Sequence, residues 1–338
     1  MSNDSSRPLL ALAMGDPAGI SPELTARLVQ DDQVAASVRL LVIGDARILA
    51  MGAGQAGISV DLPAWQDGDG PPSQHALLDL HHCSPDEVEI GRATLAGGRF
   101  AMRNFTTALQ MARHKQVDAV TFTPFNKQAM RLARPGYDDE IAVVSEVLGG
   151  VAAGREFNIL GELWNARVTS HIPLKDVASH LSIASIEQAA VLADRCLRAA
   201  GFEAPRLAIA ALNPHAGDGG SFGREEIDLI EPAIQRMKRH GLSAIGPVPA
   251  DTVFVRAQKG EFDAVLTMYH DQGQIAMKLM GFDRGVTFLG GYDFPICTPA
   301  HGTAYDIVGQ GKANLQASSN ALLLAGAMAQ RLQSAAAR

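Results

Sequence analysis

Three histidines are the residues whose type and spacing most suggest chemistry. His171, His215 and His270 each stand two or three residues beyond the end of a short apolar run. In an open parallel sheet, ligands bind beyond the carboxyl ends of the strands. Three imidazoles at that edge can share one metal ion and leave a coordination position open. A single histidine is more often a hydrogen-bonded structural residue than a ligand, so it is the repetition that predicts a catalytic metal site.

A glycine-rich segment surrounds His215 and precedes a helix candidate. It contains Asn213 and four glycines between Gly217 and Gly223, including Gly219. Glycine lets a backbone approach a ligand closely, and the N-terminus of a helix favours a phosphate group. We interpret this segment as a place for the pyrophosphate of a dinucleotide, with a flexible loop as the alternative.

Three further polar segments follow apolar runs. Asp16 lies in a turn where Ser21 is expected to cap a helix that starts at Pro22, although this turn lacks the GxGxxG fingerprint of dinucleotide-binding folds. Lys127 either holds an anionic substrate or is an ordinary surface lysine. His301 is a fourth metal ligand, a cofactor contact or part of a turn, and composition does not decide among these.

Strand-length and helix-length segments alternate along the chain, which predicts an α/β fold with a largely parallel sheet. The strand candidates are Leu9–Ala13, Leu40–Ile43, Ala119–Phe122, Phe157–Leu160, Ala166–Thr169, Leu207–Leu212, Ala264–Met268 and Val286–Leu289. The helix candidates are Pro22–Val29, Arg99–His114, Ile186–Ala200, Arg224–His240 and Leu315–Leu332.

Composition excludes several classes of protein. The 338 residues are 47% hydrophobic and carry a net charge of −7 without a basic stripe, so we expect an ordered protein with no nucleic-acid partner. No apolar run approaches the roughly 18 residues of a membrane span. The polar N-terminus and three scattered cysteines predict a cytoplasmic location.

Seven motifs in chain order resemble the 4-hydroxythreonine-4-phosphate dehydrogenase family of pyridoxal phosphate biosynthesis. The motifs are Met14-Gly-Asp-Pro-Ala-Gly-Ile, Asn126-Lys127, Ser170-His-Ile-Pro-Leu174, Leu212-Asn-Pro-His-Ala-Gly217, Gly246-Pro-Val-Pro-Ala-Asp-Thr252, Met268-Tyr-His-Asp-Gln-Gly273 and His301-Gly-Thr-Ala304. They span nearly the whole chain.

The resemblance implies a two-lobed fold like that of isocitrate and isopropylmalate dehydrogenases, with a cleft between the lobes. The expected first lobe is residues 1–130 plus 305–338, and the second is 131–304 with the interface of a homodimer. The implied metal ligands are His171 and His215 of one chain and His270 of the partner. The metal would be zinc, with magnesium, manganese or cobalt as alternatives, and the oxidant would be NAD.

The resemblance also implies site residues. The implied cofactor-binding residues are Asn213, Gly217, Gly219, Asp251, Thr252 and Asp306. Lys127, Lys278 and Asp271 are the catalytic candidates: the lysines for carboxylate binding or proton transfer, Asp271 for orienting the ring of His270.

Three departures from the family pattern suggest an altered substrate. The family's Gly-His-Thr-Glu is replaced by Gly136-Tyr-Asp-Asp-Glu140, its Gly-Val-Asn by Gly285-Val-Thr287, and its Ile-Arg-Thr by Ile296-Cys-Thr298. Loss of an arginine weakens a phosphate site. We therefore predict a substrate site with Tyr137, Asp138, Lys278, Thr287 and Cys297, similar to the branch that contains terephthalate cis-dihydrodiol dehydrogenase.

The predicted reaction is oxidation of a secondary alcohol near a carboxylate by NAD, with a divalent metal as Lewis acid and subsequent loss of CO2. The expected substrate is a non-phosphorylated, carboxylated cis-dihydrodiol. The alternatives are the phosphorylated substrate of the biosynthetic enzyme and an inactive protein that only binds metal or nucleotide.

Overall fold

The computed structural model describes residues 7–150, 154–281 and 283–336. Its strands are β1 Leu9–Ala13, β2 Arg39–Gly44, β3 Ala76–Asp79, β4 Ala119–Phe122, β5 Arg155–Leu160, β6 Leu163–Arg167, β7 Arg206–Ala210, β8 Ser243–Val248, β9 Ala264–Thr267, β10 Val286–Gly290 and β11 Ile296–Pro299. Its helices are α1 Ser21–Leu28, α2 Asp32–Ser37, α3 Ala46–Ala56, α4 Leu95–Arg113, α5 Lys127–Ala133, α6 Glu140–Val147, α7 Val177–His180, α8 Ile183–Ala200, α9 Glu231–Arg239, α10 Ala250–Gln258, α11 His270–Gly281 and α12 Gln316–Ala336.

The chain forms two compact units whose bounds differ from those of the expected lobes. One unit is Met1–Gly154 with Val286–Arg338, and the other is Arg155–Gly285. Residues 131–154 and 286–304, expected in the second lobe, therefore group with the first unit. The reason is packing, because Val144 of α6, Leu289 of β10 and Ile296 of β11 lie in the same buried cluster as β1 and α4.

The first unit is built on six strands in the order β3-β2-β1-β4-β11-β10. All its pairs are parallel except β10 with β11. Every residue of β1, β2 and β4 is buried. Near-continuous apolar strands of this kind are typical of a parallel sheet covered on both faces.

The second unit contains five strands in the order β5-β6-β9-β7-β8. Strands β6, β9, β7 and β8 are parallel, and β5 is antiparallel to β6. Side chains from β7, β9, α10 and α11, among them Val265, Phe254 and Met277, form its apolar core. The prediction of an α/β fold with largely parallel strands is confirmed.

All eight predicted strands are present, with ends that shift by up to three residues. The strand expected at Ala166–Thr169 begins earlier, at Leu163, and β7 ends at Ala210 rather than Leu212. The five predicted helices also form, although the one expected at Arg224–His240 divides into a π-helical turn at Glu226–Ile230 and α9. Within the described ranges, no helix is both long enough and apolar enough to cross a membrane.

Candidate active site and metal centre

The three candidate metal-binding histidines follow three neighbouring strands of the second unit. Parallel β9 lies between β6 and β7, with Arg167 opposite Thr267 and Ile209 opposite Leu266. His171 follows β6 by four residues, His270 follows β9 by three and His215 follows β7 by five. The carboxyl ends of parallel strands share one edge of a sheet, so the fold brings all three histidines to that edge.

The rings of His171 and His270 are direct neighbours within one chain. Their centroids lie 5.6 Å apart, and the ring planes are inclined by 45°. The expectation that His270 ligates a metal together with His171 and His215 of a partner chain stays a prediction. Among the described residues, the three histidines do not form a closed group with all ligand atoms within 4.8 Å of one another.

Asp271 contacts the ring of His270. Its Oδ1 lies 2.6 Å from Nδ1 of the imidazole. A ring whose Nδ1 donates to a carboxylate presents Nε2 as a metal ligand, which is the usual arrangement around protein-bound zinc. The donor set therefore fits a divalent ion: three imidazoles, one of them already oriented by a carboxylate.

His215 begins a left-handed turn. From His215 to Gly219, five consecutive residues have φ between 44° and 82°. L-residues pay about 1–2 kcal/mol each for this conformation, and His215, Ala216 and Asp218 are not glycine. Backbone strain of this kind persists only where surrounding contacts hold it, and it concentrates at functional sites.

A buried carboxylate holds this turn in place. Glu226, 1% exposed, accepts hydrogen bonds from the backbone N–H groups of Leu212 and Asn213 at 2.9 and 2.7 Å. Its Oε2 accepts a third from the Asn213 side chain at 2.9 Å. A Cβ at Gly217 would lie 2.7 Å from that same oxygen, so the turn closes on Glu226 only with glycine there.

The expected cofactor residues fall into both units. Gly217 and Gly219 belong to the left-handed turn, and the amide nitrogen of Asn213 is already engaged by Glu226 and Glu225. Asp251 and Thr252 are exposed in the first turn of α10, which contacts the segment Pro214–Gly220. These residues of the second unit form one region, whereas Asp306 is exposed in the first unit.

The two candidate lysines are exposed on separate units. Lys127 is the first residue of α5, where the side chain of Asn126 caps the helix by accepting from Ala129 N at 3.0 Å. Lys278 is on α11, about two helical turns after His270, as predicted. Both residues are exposed to solvent.

Two expected substrate residues lie in the core of the first unit. Cys297 is 0% exposed on β11 between Thr121 and Phe288, and burial raises the pKa of its thiol. Tyr137 is 4% exposed and donates to Glu140 Oε1 at 2.6 Å. The burial of both side chains argues against their assignment to a substrate site.

The other two expected substrate positions are at least partly accessible. Thr287 is half-buried on β10, opposite Thr298 of β11. Asp138 is exposed in the turn before α6, whose N-cap is Asp139. Their assignment to the substrate site stays a prediction.

The carboxylate of Asp16 is buried, and its hydrogen-bond partners belong to the first unit. Asp16 is 1% exposed, its Oδ1 accepts from Ala18 N at 3.0 Å, and its Oδ2 accepts from the Tyr305 hydroxyl. Burial raises its pKa against the opposing effect of these hydrogen bonds. Ser21 is not the cap expected from the sequence, because its hydroxyl donates instead to Pro124 O at 2.8 Å.

His301 lies in the first unit, whereas His171, His215 and His270 lie in the second. Burial lowers the pKa of its ring, and Nδ1 is 3.0 Å from Gly302 O. Its Nε2 is buried without a hydrogen-bond partner among the described residues. A role as a fourth ligand or cofactor contact stays a prediction.

Sequence reasoning did not single out Asp45, Asp79 and His81, which lie together as a group. Their ligand atoms lie within 4.8 Å of one another, in the first unit. Both oxygens of Asp45 are occupied, since they accept from Arg47 Nε and Nη2 at 2.9 Å each and from Cys83 N at 3.0 Å. Asp45 is also the N-cap of α3, and we read this group as a helix cap with an ion pair.

Residues 36–325 match the family model described as the pyridoxal phosphate biosynthetic protein PdxA. The chain belongs to this family. A Rhizobium meliloti (strain 1021) PdxA-family protein, named provisionally as 4-hydroxythreonine-4-phosphate dehydrogenase 2, is 58% identical over 329 residues, covering 96% of this chain and 94% of the relative.

Two solved structures show the same architecture at high coverage. The 4-hydroxythreonine-4-phosphate dehydrogenase of Klebsiella pneumoniae is 32% identical with a TM-score of 0.83, covering 96% of this chain and 98% of that one. The terephthalate 1,2-cis-dihydrodiol dehydrogenase of Burkholderia xenovorans LB400 is 28% identical with a TM-score of 0.66, covering 95% and 98%. The predicted PdxA-family membership is confirmed, and these PdxA relatives are named as dehydrogenases.

Proposed function

We propose that this chain is an NAD- and divalent-metal-dependent dehydrogenase that oxidises a phosphorylated hydroxy acid and releases CO2. The observation that carries the proposal is the placement of His171, His270 and His215 at adjacent carboxyl ends of β6, β9 and β7. A sequence identity of 58% to a relative named for a phosphorylated substrate supports that substrate class over the non-phosphorylated dihydrodiol expected from the sequence.

A divalent ion held by the three imidazoles would supply a Lewis acid for the substrate hydroxyl, and bound NAD would supply the hydride acceptor. Asp271 keeps the ring of His270 in the orientation that leaves Nε2 available. We propose that Lys278, two turns further along α11, binds an anionic group of the substrate. Oxidation of an alcohol β to a carboxylate gives a ketone from which CO2 can leave.

The proposal includes a homodimer with a shared active site. Helix α11 begins at His270 and exposes 59% of Ile275 and 84% of Leu279, one turn apart on the same face. Exposed apolar side chains on a helix that carries a metal ligand favour coverage by a second copy. The three cysteines are free, which suits the cytoplasmic location that we also propose.

The experiment is an assay of NAD reduction by the purified protein. The substrates are 4-phosphohydroxythreonine, the same compound without its phosphate, and a carboxylated cis-dihydrodiol, each before and after chelation and after metal is restored. We expect the phosphorylated substrate to be oxidised fastest, with activity lost on chelation and recovered with metal. Faster oxidation of the dihydrodiol would instead support the non-phosphorylated substrate predicted from the sequence. Metal and NAD binding without turnover on any substrate would favour the inactive binding protein.

A further inference from the structure

A segment of the first unit, residues 301–315, packs against the turn at Asp16 and against the helix α1 that follows this turn. The backbone N–H of Ile20 donates to Thr303 O at 3.0 Å. The Tyr305 hydroxyl donates to Oδ2 of Asp16, a carboxylate that is 1% exposed. These two hydrogen bonds fix the first part of the segment.

Ala313, near the other end of the segment, is bound through both of its backbone polar groups. Its N–H donates to Oε1 of Glu23 at 3.0 Å, and its carbonyl accepts from Nη1 of Arg27 at 2.5 Å. Glu23 and Arg27 lie one turn apart on α1 and pair with each other at 3.4 Å. Ala313 also packs with the buried side chains of Ile20 and Leu24. Helix α1 therefore anchors the segment at a second point.

The segment offers polar groups to a ligand. Asp306 and Lys312, which lie between the two anchors, are both exposed. At the start of the segment, burial lowers the pKa of His301 and favours its neutral ring. Because Nδ1 of His301 faces Gly302 O, Nε2 is the acceptor, and it is buried without a partner among the described residues. An exposed carboxylate and an unsatisfied imidazole acceptor fit a ligand that carries hydroxyl donors, such as the ribose of a dinucleotide.

We propose that Tyr305 and Arg27 are positioning residues that keep residues 301–315 in the conformation that binds NAD. This inference rests on the proposed function, because NAD and its contact with Asp306 are themselves proposals. All the groups involved belong to one chain and to the first unit, so the inference does not depend on which subunit supplies His270. A segment that is already ordered in the free protein loses little conformational entropy when its ligand binds, so loosening either anchor should weaken NAD binding.

The test compares the full-length protein with Tyr305→Phe and Arg27→Met, each of which removes one anchor and keeps most of the side chain's bulk. Tyr292→Phe, which removes a half-buried hydroxyl of the same unit, is the control for Tyr305→Phe. Arg198→Met is the control for Arg27→Met. Like Arg27, Arg198 pairs with a carboxylate one turn earlier on its helix and donates to a backbone carbonyl.

Two quantities are measured: amide hydrogen exchange of residues 301–315 without NAD, and the Kd for NAD by titration calorimetry of the metal-loaded protein. In both variants we expect faster exchange of this segment and a Kd that rises by about 10-fold, because the binding conformation becomes a smaller fraction of the population. Neither control should change. At saturating NAD, kcat should stay close to the wild-type value, because only the cofactor's binding is affected.

An unchanged Kd for NAD in either variant that folds would overturn the inference, even with faster exchange, and so would an equal rise of the Kd in the controls. If Tyr305→Phe does not fold, Arg27→Met alone decides, because the side chain of Arg27 is one-third exposed. Failure of the proposed function gives a different result: the wild-type protein would bind no NAD, or Asp306→Ala would bind NAD as tightly as the wild type does.

Discussion

At the scale of single residues, the candidate metal ligands differ from the other histidines in their neighbours. His270 has a carboxylate on Nδ1, and His215 stands in a turn held by Glu226. His82, in contrast, stacks on Phe100 with ring centroids 4.9 Å apart, and burial lowers its pKa. An apolar contact and a neutral ring suit packing, whereas an oriented, accessible ring suits a metal.

His215→Ala should abolish metal-dependent turnover. A Lewis acid contributes several kcal/mol of transition-state stabilisation, so we expect kcat/KM to fall by about 100-fold or more. The measurement is the rate of NADH formation at saturating metal, with His240→Ala, at the exposed end of α9, as the control. Activity of His215→Ala equal to wild type would contradict the three-histidine site.

Asp45→Asn should destabilise the fold in a pH-dependent manner. Burial alone would raise the pKa of Asp45, but hydrogen bonds from Arg47 and Cys83 N outweigh burial and hold it below its ordinary value. We expect a loss of about 1–3 kcal/mol in the free energy of unfolding at pH 7.

The sign of the pH effect follows from the lowered pKa of Asp45. The stabilisation by the charged carboxylate is complete above the pKa of Asp45 in the unfolded chain, about 3.9. It disappears as the pH falls through the lower pKa of Asp45 in the folded protein. Urea unfolding should therefore show the difference between wild type and Asp45→Asn narrowing below about pH 4. A difference that stays constant from pH 7 to pH 3 would show that the charge of Asp45 is not its cause.

Tyr137→Phe tests the exclusion of Tyr137 from the substrate site. The hydroxyl donates to Glu140 within the core, so its loss should cost about 1 kcal/mol in stability and leave the KM for substrate unchanged. Thermal unfolding and steady-state kinetics measure the two effects. A raised KM without a loss of stability would return Tyr137 to the substrate site.

At the scale of elements, the strand order β6-β9-β7 puts the strand ends that precede the three histidines next to one another, as the sequence pattern predicted. Sequence reasoning recognised the apolar runs and the histidines after them, but the order of the strands and their register come from tertiary packing. Sequence reasoning therefore predicted three histidines at one edge of the sheet, but it did not show which two histidine rings are neighbours.

Sequence analysis missed β3, β8 and β11, and the last two have physical reasons for escaping notice. β8 contains Gly246-Pro247, a pair that normally argues against a strand interior. β11 is only Ile296–Pro299, and its identity as a strand depends on pairing with β4 and β10. The burial of Cys297 was hidden for the same reason, because a four-residue strand shows no reliable periodicity.

Ala216→Gly should stabilise the fold and weaken the site. Ala216 has φ of 55°, a conformation that costs an L-residue about 1–2 kcal/mol and costs glycine little. We expect the free energy of unfolding of the metal-free protein to rise by up to about 1 kcal/mol, while the freer turn binds metal less tightly. Calorimetry with and without cobalt measures both, and a destabilised variant would contradict the strain argument.

At the scale of the whole molecule, we propose that the exposed apolar face of α11 links dimer formation to the active site. Leu279→Glu should prevent dimer formation, because a charge would replace the most exposed large apolar side chain of that helix. We expect analytical ultracentrifugation to show a monomer with reduced metal affinity. Leu332→Glu, on the exposed face of α12, is the control, and a Leu279→Glu dimer as stable as wild type would rule out this face.

The most direct test of the account is X-ray absorption spectroscopy of the zinc-loaded protein, compared with His215→Ala. We predict three histidine nitrogens at about 2.0–2.1 Å from zinc in the wild type and one fewer in the variant. Oxygen-rich coordination that persists unchanged in His215→Ala, as a site at Asp45, Asp79 and His81 would give, would contradict the central claim.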